Sequence, residues 1–168
     1  NTKDKSRPYP IDASLLRINL GIITSTFHAT APYQVDISGS QRTLAILMAI
    51  DEINNKNSTL RGKYFNATPP ILYKWKNSGR SKPHAAAAGS YFLGGTAFEN
   101  QEPVDVVIGA LSSGPSTSMQ SIMKLNNILQ ISPSSTAITL SDKLEYPTFA
   151  RTVPSDATLA KTLTGFVK

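Results

Sequence analysis

Residues 104–111, VDVVIGAL, run straight into Ser112-Ser113-Gly114-Pro115, and residues 127–131, NILQI, run into Ser132-Pro133-Ser134-Ser135-Thr136. Between the two lies a stretch of helical character. Two apolar strands therefore stop, one after the other, in turns rich in hydroxyls. In an open α/β sheet, turns at the carboxyl ends of the strands are where ligands bind. Hydroxyls and free N–H groups gathered there suit a small polar or anionic ligand, such as an amino-acid carboxylate.

The rest of the chain repeats the alternation. LLRINLGIIT (residues 15–24) is rich in Leu and Ile with little alternation, the pattern of a strand buried on both faces. Ser38-Gly39-Ser40-Gln41 has capping-box spacing and predicts a helix over 41–55, with Leu44, Ile46, Leu47, Ile50 and Ile53 as its apolar positions. A long connection ends in Pro69-Pro70 and leads to a strand over 71–76. A small-residue helix is expected over 82–93, a strand over 104–110, and a helix over 116–126 with Met119, Ile122, Met123 and Leu125 inward. Strands follow at 128–131 and 146–153, the latter at an edge because Pro147 removes a ladder donor. Ser155 caps a final amphipathic helix carrying Leu159, Ala160, Leu163, Phe166 and Val167 on one face. This order predicts an α/β fold, a doubly wound and mainly parallel sheet flanked by helices.

The chain has 168 residues, 40% hydrophobic and 17% charged, as expected of one globular domain rather than a disordered segment. No apolar run approaches the roughly 18 residues that span a bilayer. The polar start, without Met or a signal-peptide core, and the helical pattern at the end lead to the expectation of a piece of a larger protein. Residues 1–14 read as a polar extension and 15–168 as the folded unit. There is no Cys, so disulfides say nothing about compartment. Asn57 and Asn66 open two N-x-[ST] sequons in one polar connection, candidate glycosylation sites that favour a secreted reading. The net charge is +6. Its densest stretch, Lys56 to Lys82, holds no acidic residue and reads as a solvated face rather than a nucleic-acid surface.

Each hydroxyl at the two turns has a plain reading and a functional one. Ser112 or Ser113, just before Pro115, can cap the following helix. Capping needs one hydroxyl where the chain supplies two, and Gly114 would let a ligand approach the backbone. Ser134, Ser135 and Thr136 can equally be turn formers. Catalytic readings are thin. No GxSxG, Walker A or GxGxxG sequence occurs, and the SxxK match at Ser121 to Lys124 falls inside a helix without its partner motifs. Asp51 and Glu52 point apart on a helix. His28 and His84 have no Cys or carboxylate at metal spacing. The expectation is a non-enzyme without cofactor or metal.

AIDEIN, VDVVIGALSS, ISPSSTAITLSDK and YPTFARTVPSD together resemble the receptor-family ligand-binding region, the periplasmic-binding-protein type I fold. The last two blocks look most like metabotropic GABA and glutamate receptors, which are class C G-protein-coupled receptors. The resemblance runs from about Leu16 onward. It implies lobe 1 of a two-lobed clamshell on the extracellular side of the plasma membrane, dimeric through lobe 1, reaching the membrane only through a region outside this chain. It implies a small amino-acid-like ligand held at Ser113, Ser134 and Thr136, with Ser112 and Ser135 adjacent. A transporter's solute-binding protein or a peptide-sensing receptor guanylate cyclase are the alternatives. The chain departs from many relatives in lacking a Cys pair, and in carrying Lys76-Asn77-Ser78 where an acidic residue is common.

Overall fold

The computed structural model describes residues 18–29, 34–55, 71–94 and 102–166. The sequons at Asn57 and Asn66, Val167, and the 1–14 extension with its boundary lie outside the described residues. Among the described residues, five strands form one parallel sheet: β1 (Asn19–Thr24), β2 (Leu72–Asn77), β3 (Val106–Ile108), β4 (Leu129–Ser132) and β5 (Phe149–Arg151), in the order β2-β1-β3-β4-β5. Ile22 pairs with Trp75 on one side and Ile108 on the other, and Ile108 with Ile131, so one row fixes the register of four strands. The α-helices among the described residues are α1 (Ile37–Asn54), α2 (Lys82–Phe92), α3 (Ser113–Met123) and α4 (Asp156–Phe166).

Alternation along β1 divides the core in two. Leu20 and Ile22 meet Ile50 of α1, with Ile46 and Leu47 beside it. Ile23 joins Ala85, Ala88 and Phe92 of α2 and Met119 and Met123 of α3 on the other face. β1 is buried from Leu20 to Thr24, as its unbroken apolar run predicts. The alanines of α2 bring α3 close. A Cβ on Gly89 would already lie 3.2 Å from both Ile122 and the Met119 sulfur.

Several boundaries differ from the sequence expectation, each for a visible reason. α1 starts at Ile37 because Asp36, not Ser38, is its cap: the carboxylate accepts from Gly39 N at 3.0 Å. Leu44 is 59% exposed and Leu125 76% exposed, so neither is an inward position. β3 keeps only three residues, since Val104 N bonds Phe92 O and Gly109 turns the chain at φ +113°. β5 starts only at Phe149, past Pro147, and sits at the edge as expected. α4 exposes Leu159, Leu163 and Phe166. Two lysines of the basic stretch are engaged: Lys74 donates to Glu102 O at 2.6 Å, and Lys76 lies 3.8 Å from the Tyr91 ring centroid.

Asp36 also takes Arg80 Nε at 2.7 Å, tying α1's cap to the turn after β2. Arg80 reaches it from a left-handed conformation, φ 57°. The guanidinium bond, with the Gly39 amide adding to it, holds the Asp36 carboxyl at about 2 against burial, which acts the other way. The Ser25 hydroxyl lies beside the same carboxylate without hydrogen-bond geometry. A depressed carboxyl pKa gives stability that is complete above the ordinary value of 3.8 and lost as pH falls through about 2. The effect is on the order of 1–2 kcal/mol once the half-exposed arginine is discounted for solvent. Denaturant midpoints measured from pH 5 to pH 2 should therefore fall more steeply for the wild type than for Asp36→Asn. Parallel curves would show the pair to be energetically idle.

Candidate functional site

The strand order puts the topological switch between β1 and β3, because the chain leaves β1 toward β2 and returns on the other side. The carboxyl ends of β1, β3 and β4 thus form one edge, and crevices at such a switch are where ligands settle. At β3 the turn begins with Gly109, where a Cβ would stand 1.9 Å from Ile23 O. Ser112 is the residue before α3 and Ser113 its first residue. Ser112 has extended backbone (φ −142°, ψ 150°) and makes no side-chain capping bond, so its hydroxyl is not spent on the helix.

The two turns are bolted together. Ser132 Oγ donates to Ala110 O at 2.6 Å, and Ser134 Oγ donates to Leu111 O at 2.6 Å. Ala137 N donates to Ser113 Oγ at 3.1 Å. Behind them, Ser135 is fully buried, 2.8 Å from the hydroxyls of both Ser116 and Ser132. Burial turns the Ser135 side chain into the platform rather than onto its surface, unlike its sequence neighbours. Ser112, Ser113, Ser134 and Thr136 are half-buried.

This arrangement assigns hydrogen-bond roles. Ser113 accepts from Ala137 N and keeps its proton to donate. Ser134 has given its proton to Leu111 O and keeps lone pairs to accept. The carbonyl of Thr136 is taken by Asp156 N at 2.9 Å, so its peptide is fixed while its hydroxyl has no described partner. A donor, an acceptor and a versatile hydroxyl therefore share one edge at the positive end of α3, whose dipole favours an anion. That set matches the two ends of an α-amino acid, carboxylate and ammonium. It offers no nucleophile–base pair. The approach of His84 Nδ1 to Ser81 Oγ, 3.0 Å, is a pair three residues apart on an exposed helix start. No group of three His, Cys, Asp or Glu among the described residues could hold a metal.

Sequence reasoning missed three features of this edge. Arg151 on β5 donates to Ser135 O at 3.2 Å and Ala137 O at 2.9 Å, and also to the Ser141 hydroxyl. The space over Gly114, expected to admit a ligand, is taken by the stem of Lys82, with Cε 3.1 Å from where a Cβ would be. At the end of β1, Thr24 Oγ1 accepts from Thr43 Oγ1 at 2.6 Å and Trp75 Nε1 at 2.8 Å, while Thr26 carries a buried hydroxyl without a described partner. The hydroxyl run Thr24-Ser25-Thr26 at a strand end was the available signal for that last one.

Comparison with known proteins covers the turns after β3 and β4. Residues 41–168 match the family model for the receptor family ligand binding region. A probable metabotropic glutamate receptor of Caenorhabditis elegans, mgl-1, is 33% identical over 134 residues, which is 70% of this chain and 13% of the relative. The metabotropic glutamate receptor of Drosophila melanogaster is 32% identical over 144 residues, 77% of this chain and 15% of the relative. The chain thus spans well under a fifth of the length of these relatives.

Proposed function

The chain belongs to the receptor family ligand binding region, with metabotropic glutamate receptors, which are class C receptors, among its relatives, and from that membership we propose that it is the lobe on which a membrane receptor captures an extracellular amino-acid-like ligand. The ligand's carboxylate accepts a hydrogen bond from the Ser113 hydroxyl and sits at the positive end of α3. Its ammonium takes the lone pairs of Ser134 and the Thr136 hydroxyl. Ser112 stands at the rim, and Ser135 supports the platform from behind. A second lobe closes over the ligand, and closure signals because the ligand binds the closed state better than the open one. Pairing through lobe 1 completes the proposed receptor, and no chemistry is performed on the ligand. The names of the relatives make L-glutamate the ligand to test first.

The observation that carries this reading is the division of donor and acceptor roles between Ser113 and Ser134, held by bonds of 3.1 and 2.6 Å. Removing Ser113 and Thr136 hydroxyls together takes away two bonds to charged groups, worth about 1.5–3 kcal/mol each. Calorimetry on the full-length protein should then show Ser113→Ala/Thr136→Ala binding L-glutamate at least about 100-fold more weakly. Unchanged affinity would sink the site assignment.

A further inference from the structure

Two glutamines, Gln120 of α3 and Gln130 of β4, are fully buried, and their carbonyl oxygens have no hydrogen-bond partner among the described residues. The fold brings them to one level. Ser116 Oγ and Ser132 Oγ both donate to Ala110 O, which fixes that point of α3 over that point of β4. α3 then runs back along the strand, since Met123 O at its far end accepts from Ile128 N, just before β4. Gln120 lies one helical turn beyond Ser116, about 6 Å along the axis. Gln130 lies two residues before Ser132, about 6.6 Å along the strand and on the same face. Both meet Thr148: Gln120 Nε2 donates to its hydroxyl, and Gln130 N to its carbonyl at 2.8 Å. Gln130 Nε2 also donates to Gly109 O at 2.9 Å, while Gly109 N donates to Ile131 O at 2.8 Å. The pair therefore stands behind the turn that leads to Ser112 and Ser113.

We propose that one buried water molecule binds between Gln120 and Gln130, as a fixed part of the platform under the two turns. The two orphan atoms are both acceptors and cannot satisfy each other. A buried acceptor without a donor is costly, so the pair calls for a small body with two protons between them. Water has that complement, and a buried water typically makes about three bonds to such groups. The third comes from Thr148, whose hydroxyl accepts from Gln120 Nε2 and keeps its proton to donate to the water oxygen. A metal cation fits worse, because all three side chains are neutral and a buried charge needs a counter-charge. The water thereby braces Gln130 from α3, and Gln130 in turn holds Gly109 O.

A density map of the full-length wild-type protein at about 2 Å resolution should show a peak within about 3 Å of both glutamine carbonyl oxygens and of the Thr148 hydroxyl. An empty space there, or a Gln120 amide turned over so that its nitrogen meets Gln130 Oε1 directly, would overturn the proposal. Hydrogen exchange at the Gly109 amide, measured on the same protein, reads the brace. Gln130→Met should quicken it by about tenfold, by removing the bond to Gly109 O. Gln120→Met leaves that bond in place and should still quicken exchange by about threefold, and the double variant should be no faster than Gln130→Met alone. The Leu72 amide, held by Ile18 O at the far edge of the sheet, should keep its rate in all three variants and so certify the fold. A Gly109 amide indifferent to Gln120→Met, or effects of the two variants that multiply, would show two separate side chains with no shared water.

Discussion

Gly39→Ala is expected to destabilise the protein by about 3 kcal/mol or more, although helix propensity alone predicts a gain of about 1 kcal/mol. Gly39 lies in the first turn of α1, where alanine is ordinarily the better residue. A Cβ there would stand 1.6 Å from Ser25 O and 3.1 Å from the Asp36 carboxyl carbon. The carbonyl belongs to the main chain just past β1 and cannot swing aside like a side chain. Either α1 moves off the sheet or the Asp36 cap breaks, and with it the bond to Arg80. At about 2–4 °C per kcal/mol for a chain of this length, the melting temperature should fall by roughly 6–12 °C. Gly165→Ala supplies the control: the space there is open, so a small gain is expected. A neutral Gly39→Ala would mean that the approach of α1 to β1 is looser than its geometry.

The fold was legible because its signals are local. Apolar runs without alternation mark strands buried on both faces, and β1 carries that mark, buried from Leu20 to Thr24. Boundaries were less legible because they depend on distant partners. Val104 leaves the ladder to bond Phe92 O, and Asp36 outcompetes Ser38 as a cap through Arg80, 44 residues on. Leu44 and Leu125 face outward because apolar residues are not confined to interiors. The strand-end rule located the two turns, but not which way each hydroxyl is spent. The roles of Ser113 and Ser134 are set by Ala137 and Leu111, more than twenty residues away. Arg151 left no trace in the sequence, because two of its three acceptors are main-chain carbonyls, which no side-chain pattern encodes.

Arg151→Met should loosen the turn after β4 by about 3 kcal/mol while leaving the sheet intact. The guanidinium forks between the carbonyls of Ser135 and Ala137 and also reaches the Ser141 hydroxyl, spanning the loop that carries Thr136. Methionine preserves the stem's bulk and leaves three acceptors without their donor. Lysine should not rescue, since one ammonium cannot reproduce a planar fork to two carbonyls and a hydroxyl. Two amides report on the loop directly: Ala137 N, held by Ser113 Oγ, and Asp156 N, held by Thr136 O. Hydrogen exchange at both should quicken by about 100-fold in Arg151→Met, because 1.4 kcal/mol is a factor of ten in an opening equilibrium. Amides of Val107 and Ile131 in the central strands should keep their wild-type rates. A ligand docked on Ser134 and Thr136 would then have to order its own platform, so affinity falls with the lost preorganisation. Unchanged exchange at Ala137 would show that the serine bolts alone hold the turn and that Arg151 is dispensable to it.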